Sequence, residues 1–325
     1  MATLPVFSDQ EYDNARRLLS AKVATMLGRK MEEADWDFVY CGAKQIPLTQ
    51  WSNVNVDVNY NGLGVEHKML RVTRGGSILQ ECGTTKMHPA GTRSIRVLVD
   101  AEPQEAMEDV LFQYRDLIHQ RTSQVRENSG TNTADMRFGW LLWKQHLDEF
   151  LYFEEPMLPP NPENFFAVWN ETPAKGSRKE SKSLWIFSRE TRRKVYSVTT
   201  NAGAKIQPYF SVPDPSDDNL YHFKVQGVET EQGLVEVWLT RSTAKYLETL
   251  LGGFESSSLS MAIIEYECSG QLSKVSGTQA QAEDIAVPVR VTKEAYKKLK
   301  ASYDNISDEY IFQQFAIDFG GGMGL

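Results

Sequence analysis

Three charged residues, Asp57, Glu66 and Lys68, stand out because a short turn would bring them together. The dipeptide Asn61-Gly62 favours a type I′ hairpin turn, since both central positions of that turn need a positive φ. A two-residue turn there places Asp57 directly opposite Glu66 and leaves Lys68 on the same face. Cross-strand β-carbons are only about 4.5–5.5 Å apart, so the two carboxylates would repel each other. A divalent cation bound between them would turn both groups into ligands.

The alternation of side chains along this hairpin separates an apolar face from a polar one. The apolar face carries Val54, Val56, Val58, Tyr60, Leu63, Val65, His67 and Met69. The polar face carries Asn53, Asn55, Asp57, Asn59, Gly64, Glu66, Lys68 and Leu70. The apolar pattern indicates that one face packs on a core and that His67 is a core histidine.

Two carboxylates with an amine beside them suit the hydrolysis of a phosphodiester bond. Hard oxygen ligands that leave positions for water and phosphate favour Mg²⁺. Lys68 could then orient a water molecule or stabilise negative charge on the phosphate. The alternative is that these charges are only the solvated face of an edge strand, which needs no function.

The pattern of apolar residues predicts alternating helices and strands up to residue 172. The predicted helices are Ser8 to about Glu33, Gln104–Gln124 and Gln145–Phe153. The predicted strands, besides the hairpin, are Asp35–Tyr40, Ser94–Val99, Arg137–Trp143 and Asn164–Asn170. These elements indicate an α/β (α+β) core with a mixed sheet flanked by helices.

A proline-rich segment near Pro156–Pro162 and a Lys/Ser-rich segment after it predict a boundary between domains 1–172 and 173–325. The second domain is expected to be β-rich. Its predicted strands are Ser183–Ser188, Lys194–Thr200, Lys205–Val212, Tyr221–Val228, Leu234–Leu239 and Leu259–Cys268. Its predicted helices are Ser242–Leu251, Thr292–Ser302 and Asp308–Phe315.

The order of helix, strand, hairpin with Asp and Glu-x-Lys, and helix resembles the PD-(D/E)XK nucleases, the restriction-endonuclease-like superfamily. The resemblance covers about residues 10–170, with Val56 at the position where the family name has proline. It implies that Asp57 and Glu66 are metal ligands, that Lys68 is the catalytic lysine, and that Glu33 or Glu32 is an accessory helix acid. It also implies Mg²⁺-dependent cleavage of double-stranded DNA, often by a homodimer that cuts both strands.

A basic stretch covers residues 175–194 and holds eight positive side chains against Glu180 and Glu190, in a chain whose net charge is −8. We expect this stretch, with Arg71 and Arg74 after the hairpin, to contact DNA phosphates. The alternative is a solvated linker followed by a core strand in which Trp185 and Phe187 are buried. The eight residues are Lys175, Arg178, Lys179, Lys182, Arg189, Arg192, Arg193 and Lys194.

The composition excludes several other classes of protein. With 41% hydrophobic and 24% charged residues in 325, the chain is typical of globular proteins. It has no apolar run of the roughly 20 residues that cross a bilayer and no signal-peptide pattern, so we expect no membrane association. Cys41, Cys82 and Cys268 have no CxxC spacing, which fits the reducing cytoplasm of a prokaryotic cell. No GxxxxGK[ST] loop is present, so no nucleotide cofactor is expected.

These observations favour a Mg²⁺-dependent, site-specific DNA endonuclease similar to type II restriction enzymes. Two alternatives stay open. One is a DNA-binding or modified-base-binding protein that uses a nuclease-like core only as a scaffold. The other is a ligand-activated nuclease effector of phage defence, whose C-terminal domain senses a small molecule or a partner.

Overall fold

A computed structural model of the chain provides the coordinates. The described residues are 3–26, 30–47, 56–73, 75–89, 95–130, 132–174, 176, 179–200, 204–251, 285–302 and 307–322. The predicted strand Leu259–Cys268 lies outside these ranges.

The described residues form six α-helices and thirteen β-strands. The helices are α1 Asp9–Ala24, α2 Glu33–Lys44, α3 Pro103–Ser129, α4 Arg241–Leu251, α5 Lys293–Ser302 and α6 Asp308–Gly322. The strands are β1 Val58–Tyr60, β2 Leu63–Val72, β3 Thr85–Met87, β4 Asp135–Lys144, β5 Glu149–Pro156, β6 Phe165–Thr172, β7 Ser181–Ser188, β8 Lys194–Thr199, β9 Lys205–Ser211, β10 Tyr221–Lys224, β11 Val228–Glu229, β12 Leu234–Thr240 and β13 Ala286–Thr292.

The first sheet has the strand order β1-β2-β4-β5-β10 and is mixed. Strand β2 pairs with β4 in parallel, and the other pairs in this sheet are antiparallel. The parallel pair requires a crossover, which the long helix α3 provides between β2 and β4. The sequence predicted a mixed sheet flanked by helices, and this coarse description is confirmed.

Helices α1 and α2 cover one face of the first sheet, and α3 lies against the other. On the first side, Trp36 and Tyr40 of α2 join one buried cluster with Val58 and Val65 of the hairpin. Helix α1 begins at a capping box in which Ser8 accepts from the backbone N–H of Glu11. The sheet is therefore the middle layer of a three-layer core.

The second sheet has the order β3-β9-β8-β7-β6 and packs on the far side of α3. Leu184 and Ile186 of β7 are fully buried and share a cluster with Val110, Leu111 and Ile118 of α3. A third sheet, β11-β12-β13, packs with α4, α5 and α6 around its own cluster. Helix α3 is thus enclosed between two sheets.

Several predicted elements are wrong. The predicted strand Asp35–Tyr40 lies inside helix α2, and the first helix ends at Ala24. The predicted helix Gln145–Phe153 is replaced by strand β5, whose residues Phe150–Phe153 are all buried. Of the predicted strand Ser94–Val99, the described part makes only an isolated bridge from Ile95 to Ala204.

The sheets do not divide at the predicted boundary between residues 172 and 173. The hairpin of β6 and β7 spans that point, with Thr172 paired to Ser181. Strand β3 joins the second sheet from the N-terminal side, and β10 joins the first sheet from the C-terminal side. Segments from both predicted domains therefore contribute to both large sheets.

No helix within the described ranges has the length and apolar character needed to cross a membrane.

Candidate functional site

The hairpin of β1 and β2 has the predicted register. Val58 pairs with Val65 and Tyr60 pairs with Leu63. The turn residues Asn61 and Gly62 have φ values of 48° and 84°, the positive values that this turn requires. These pairs confirm the predicted alignment, and Asp57, which directly precedes β1, comes next to Glu66.

Asp57 is fixed by the backbone of the facing strand. Its Oδ2 accepts a hydrogen bond of 2.6 Å from the backbone N–H of His67. A charged acceptor strengthens this bond and fixes the direction of the carboxylate. The bond holds the Asp57 side chain beside the Glu66–His67 segment of β2.

Glu66 lies at the centre of the polar cluster and is only 8% exposed. Its Oε1 accepts from Lys68 Nζ at 2.7 Å, and its Oε2 lies 3.2 Å from a guanidinium nitrogen of Arg121 on α3. The carboxylate therefore connects two elements of the fold. Arg121 was not predicted from the sequence, because no local pattern shows that α3 packs across the hairpin at this point.

The two carboxylates have opposite pKa shifts. Burial, and after it the charge of Glu66, raises the pKa of Asp57 to about 6. Burial alone would raise the pKa of Glu66 as well, but the charges of Lys68 and Arg121 outweigh burial and lower it. Glu66 is thus the stably charged member, and Asp57 is the member whose charge is unfavourable in the folded protein.

Helix α3 closes over the polar face at close range. A Cβ atom at Gly64 would lie 2.8 Å from Val125 of α3 and 2.7 Å from the sulfur of Met136, so this approach needs glycine. The side-chain amide of Asn59, the Oε1 of Gln124 and the Nε of Arg121 are buried there without a hydrogen-bond partner among the described residues. Buried polar atoms of this kind are available to a ligand or a water molecule.

The opposite face of β2 carries a separate buried pair. His67 is fully buried, and its Nδ1 lies 2.6 Å from Oδ1 of Asp37 on α2. Its ring packs near Trp36, Tyr40 and Tyr152. Burial alone would lower the pKa of His67, but the hydrogen bond and charge of Asp37 outweigh burial and raise it. The placement of His67 in the core is confirmed.

The proposed accessory acids are not brought to this cluster. Glu32 and Glu33 are exposed at the N-terminus of α2. That helix packs on the His67 face of the sheet, whereas Glu66 points to the α3 face. The acid that α2 does bring to β2 is Asp37, on the other side of the strand.

The predicted DNA-binding residues have different surroundings. Arg71, Lys179 and Arg193 are exposed. Lys182 donates to the carbonyl of Val99, and Arg189 donates to the carbonyl of Glu163. Arg192 and Lys194 lie over the aromatic rings of Phe166 and Trp185. Arg74, Lys175 and Arg178 lie outside the described residues.

The donors of the cluster are compatible with Mg²⁺. Among the described residues, no group of three or more His, Cys, Asp or Glu side chains could hold a metal ion. Asp57 and Glu66 would supply two carboxylates, and Mg²⁺ in phosphoryl-transfer sites commonly binds one or two carboxylates, with water and phosphate completing its shell. Each carboxylate oxygen has two lone pairs, so the bonds that Glu66 already accepts leave acceptor capacity.

Comparisons with known proteins add no relative, since no family model, curated protein or solved structure matches this chain.

Proposed function

We propose that this protein is a Mg²⁺-dependent endonuclease that hydrolyses phosphodiester bonds in double-stranded DNA, of the site-specific restriction type. The observation that carries the proposal is the hairpin register, which aligns Asp57 with Glu66 and leaves Lys68 bonded to Glu66. The raised pKa of Asp57 supports it, because strongly shifted groups are concentrated at functional sites. Of the features that carried the resemblance to PD-(D/E)XK nucleases, the hairpin with these three residues is present, whereas the strand expected before it is helix α2.

Each side chain has a distinct role in this proposal. Asp57 and Glu66 bind Mg²⁺, which when bound stabilises charge on the phosphate and lowers the pKa of a water molecule. Lys68, whose Nζ lies 2.7 Å from Glu66, orients the attacking water or stabilises the developing negative charge. Arg121 holds Glu66 in place from α3 and contributes a second cation to the site.

The remaining parts of the proposal concern the partner and the cell. The exposed residues Arg71, Lys179 and Arg193 contact DNA phosphates, which fix position without reading sequence. A homodimer would place one catalytic cluster on each strand of the duplex. The reducing interior of a prokaryotic cell is the proposed location.

The proposal is tested by incubating plasmid and genomic DNA with the full chain, in Mg²⁺ or in EDTA. We expect discrete fragments in Mg²⁺ only. Lys68→Ala should lower the cleavage rate by roughly 100-fold or more. The matched control is Lys224→Ala, an exposed lysine at the end of β10, which should cleave as the unmodified protein does. Cleavage that persists in EDTA or in Lys68→Ala would contradict the proposal.

One observation favours a second candidate, a DNA-binding protein without nuclease activity. Both oxygens of Glu66 are already engaged, by Lys68 and by Arg121, so the cluster is compatible with a purely structural ion-pair network. Such a protein would bind DNA with the same affinity in Mg²⁺ and EDTA and would not cut it. Cleavage that begins only after a small-molecule activator is added would instead indicate a ligand-activated effector.

A further inference from the structure

The outer face of the second sheet carries aromatic side chains that do not belong to any of the hydrophobic clusters of the described residues. These are Phe166 on β6, Trp185 and Phe187 on β7, and Tyr209 on β9, which we call the aromatic face. They alternate with inward residues such as Leu184 and Ile186, which are fully buried against α3. All four are partly exposed, and none belongs to a hydrophobic cluster of the described residues. Aromatic rings are therefore partly exposed to solvent on the outer face of this sheet.

The rings of β6 and β7 are in direct contact, and Lys194 lies between Trp185 and the ring of Tyr209 on β9. Phe166 stacks on its cross-strand partner Phe187, with centroids 5.3 Å apart and an interplanar angle of 16°. Val168, next to them on β6, is 41% exposed. Met87 of β3, opposite Tyr209, extends the surface to the other edge and is 37% exposed. Contiguous exposed apolar patches mark interaction sites, whereas apolar residues exposed singly are ordinary surface.

Cations lie on this surface among the rings. Lys194 Nζ is 3.6 Å from the centroid of the Trp185 ring and 5.0 Å from that of Tyr209. The guanidinium of Arg192 is 5.2 Å from the centroid of Phe166. No acidic residue occupies an outward position on the described strands of this sheet.

We propose that the aromatic face binds single-stranded nucleic acid. Rings at the surface of a sheet stack on unpaired bases, and cations between them contact the phosphates. A duplex is a poor ligand for such a face, because its bases are stacked on one another and do not expose their faces. A purely apolar protein partner would not need the cations, and a cationic one would be repelled by them. The combination of rings and positive charge therefore favours an anionic chain with exposed bases.

The contacts in the free protein allow bases to replace the cations that lie over the rings. Lys194 and Arg192 cover ring faces that a base would occupy, so both must move when a base binds. A base stacked on a ring is bound more strongly than an exposed cation over the same ring, and the released cation gains a phosphate. Asn170, Ser183 and Gln207 lie on the same face as the rings; the amide of Asn170 donates to Thr172 Oγ1 and that of Gln207 to the carbonyl of Pro89.

This site does not depend on the proposed nuclease activity, so binding is measured in EDTA. The probes are a fluorescent oligothymidine and an oligouridine of about 15 nucleotides, and a duplex of the same length. We expect the single strands to bind more tightly than the duplex and to quench tryptophan fluorescence. Preference for DNA or RNA identifies the natural ligand, because both share the chemistry of the site.

Substitutions on the aromatic face provide the decisive comparison. Trp185→Leu should weaken single-strand binding by about tenfold, while Trp185→Phe, which keeps a ring, should restore most of it. The control is Tyr246→Leu on α4, an exposed aromatic residue away from this sheet, and it should change nothing. Lys194→Gln should weaken binding and reduce its salt dependence.

Three results would overturn the proposal. The first is that neither single strand binds. The second is that the duplex binds as tightly as the single strands and is unaffected by Trp185→Leu. The third is a dimer that Trp185→Leu dissociates, without any oligonucleotide binding, which would assign the face to a second copy of the chain. Circular dichroism of each variant confirms that it is folded.

Discussion

Strand β2 has buried charged side chains on both of its faces, and the two sets of charges affect the stability of the protein differently. On the α2 side, His67 meets one acid, Asp37, and its raised pKa favours the charged pair. On the α3 side, Asp57 lies beside a second acid, Glu66, and its raised pKa favours the neutral form. The first arrangement stabilises the protein when its charges are present. The second opposes the ionisation of Asp57.

The difference supports the choice of the α3 face as the candidate site. A buried pair of opposite charges needs no explanation beyond structure. Two acids side by side reduce stability unless cations compensate them; Lys68 and Arg121 do so for Glu66, while Asp57 keeps a raised pKa, and groups of this kind are concentrated at functional sites. The same strand therefore separates a structural pair from a candidate catalytic one by the alternation of its side chains.

The largest effect is expected from removing the acid on the α2 side. Asp37→Ala leaves the buried imidazole of His67 without its carboxylate and should destabilise the protein by about 3 kcal/mol near pH 6. Because the folded pKa of His67 is raised, the pair stabilises fully below the unfolded value of about 6.5, and its contribution is lost as pH rises through the folded value. The penalty of the variant should therefore shrink at high pH.

Urea unfolding at pH 6 and pH 9 measures this penalty. Asp13→Ala, an exposed acid on α1, is the control and should change stability by no more than about 0.5 kcal/mol. A penalty that is the same at both pH values would show that His67 is not charged in the fold.

The second prediction is a substitution that stabilises the protein. Asp57→Asn should stabilise the protein by about 2 kcal/mol near pH 8 in EDTA. The folded pKa of about 6 lies above the ordinary value, so the unmodified protein loses stability as pH rises between about 4 and 6. The asparagine variant has no such loss, and the two proteins should differ little at pH 4. Thermal unfolding at both pH values measures this, and a destabilised variant at pH 8 would contradict it.

A smaller effect concerns the coupling of the two acids. Glu66→Gln removes the negative charge beside Asp57 and leaves Lys68 and Arg121 nearby, so the pKa of Asp57 should fall from about 6 by about one unit or more. The carboxyl carbon of Asp57, followed by NMR as pH changes, reports this directly. Glu127→Gln at the exposed end of α3 is the matched control. If Asp57 still titrates near 6 without Glu66, burial alone explains its pKa.

Local signals explain what the sequence could predict. The hairpin was predicted correctly because Asn61-Gly62 and the alternation around it act within a few residues. Helix α2 was mistaken for a strand because Trp36, Val39 and Tyr40 have high strand propensity, although their spacing is also helical. Tertiary packing therefore determined that this segment is a helix.

The features that could not be predicted from the sequence depend on long-range contacts. Strand β5 reads as a continuous apolar run, and such a run cannot be told from a buried helix by its period. Arg121 and Asp37 meet β2 only because α3 and α2 cover opposite faces of the sheet, which no local pattern specifies. Local patterns therefore placed Asp57, Glu66 and Lys68 in the hairpin, but they could not identify the helix residues that contact it.

The most direct measurement is the binding of Mn²⁺, a paramagnetic substitute for Mg²⁺, followed by electron paramagnetic resonance at about pH 7.5, where Asp57 is ionised. The account predicts a bound ion whose affinity falls by roughly tenfold or more in both Asp57→Asn and Glu66→Gln. Glu127→Gln should bind as the unmodified chain does. Equal binding in all four proteins would contradict the claim that Asp57 and Glu66 form one metal site.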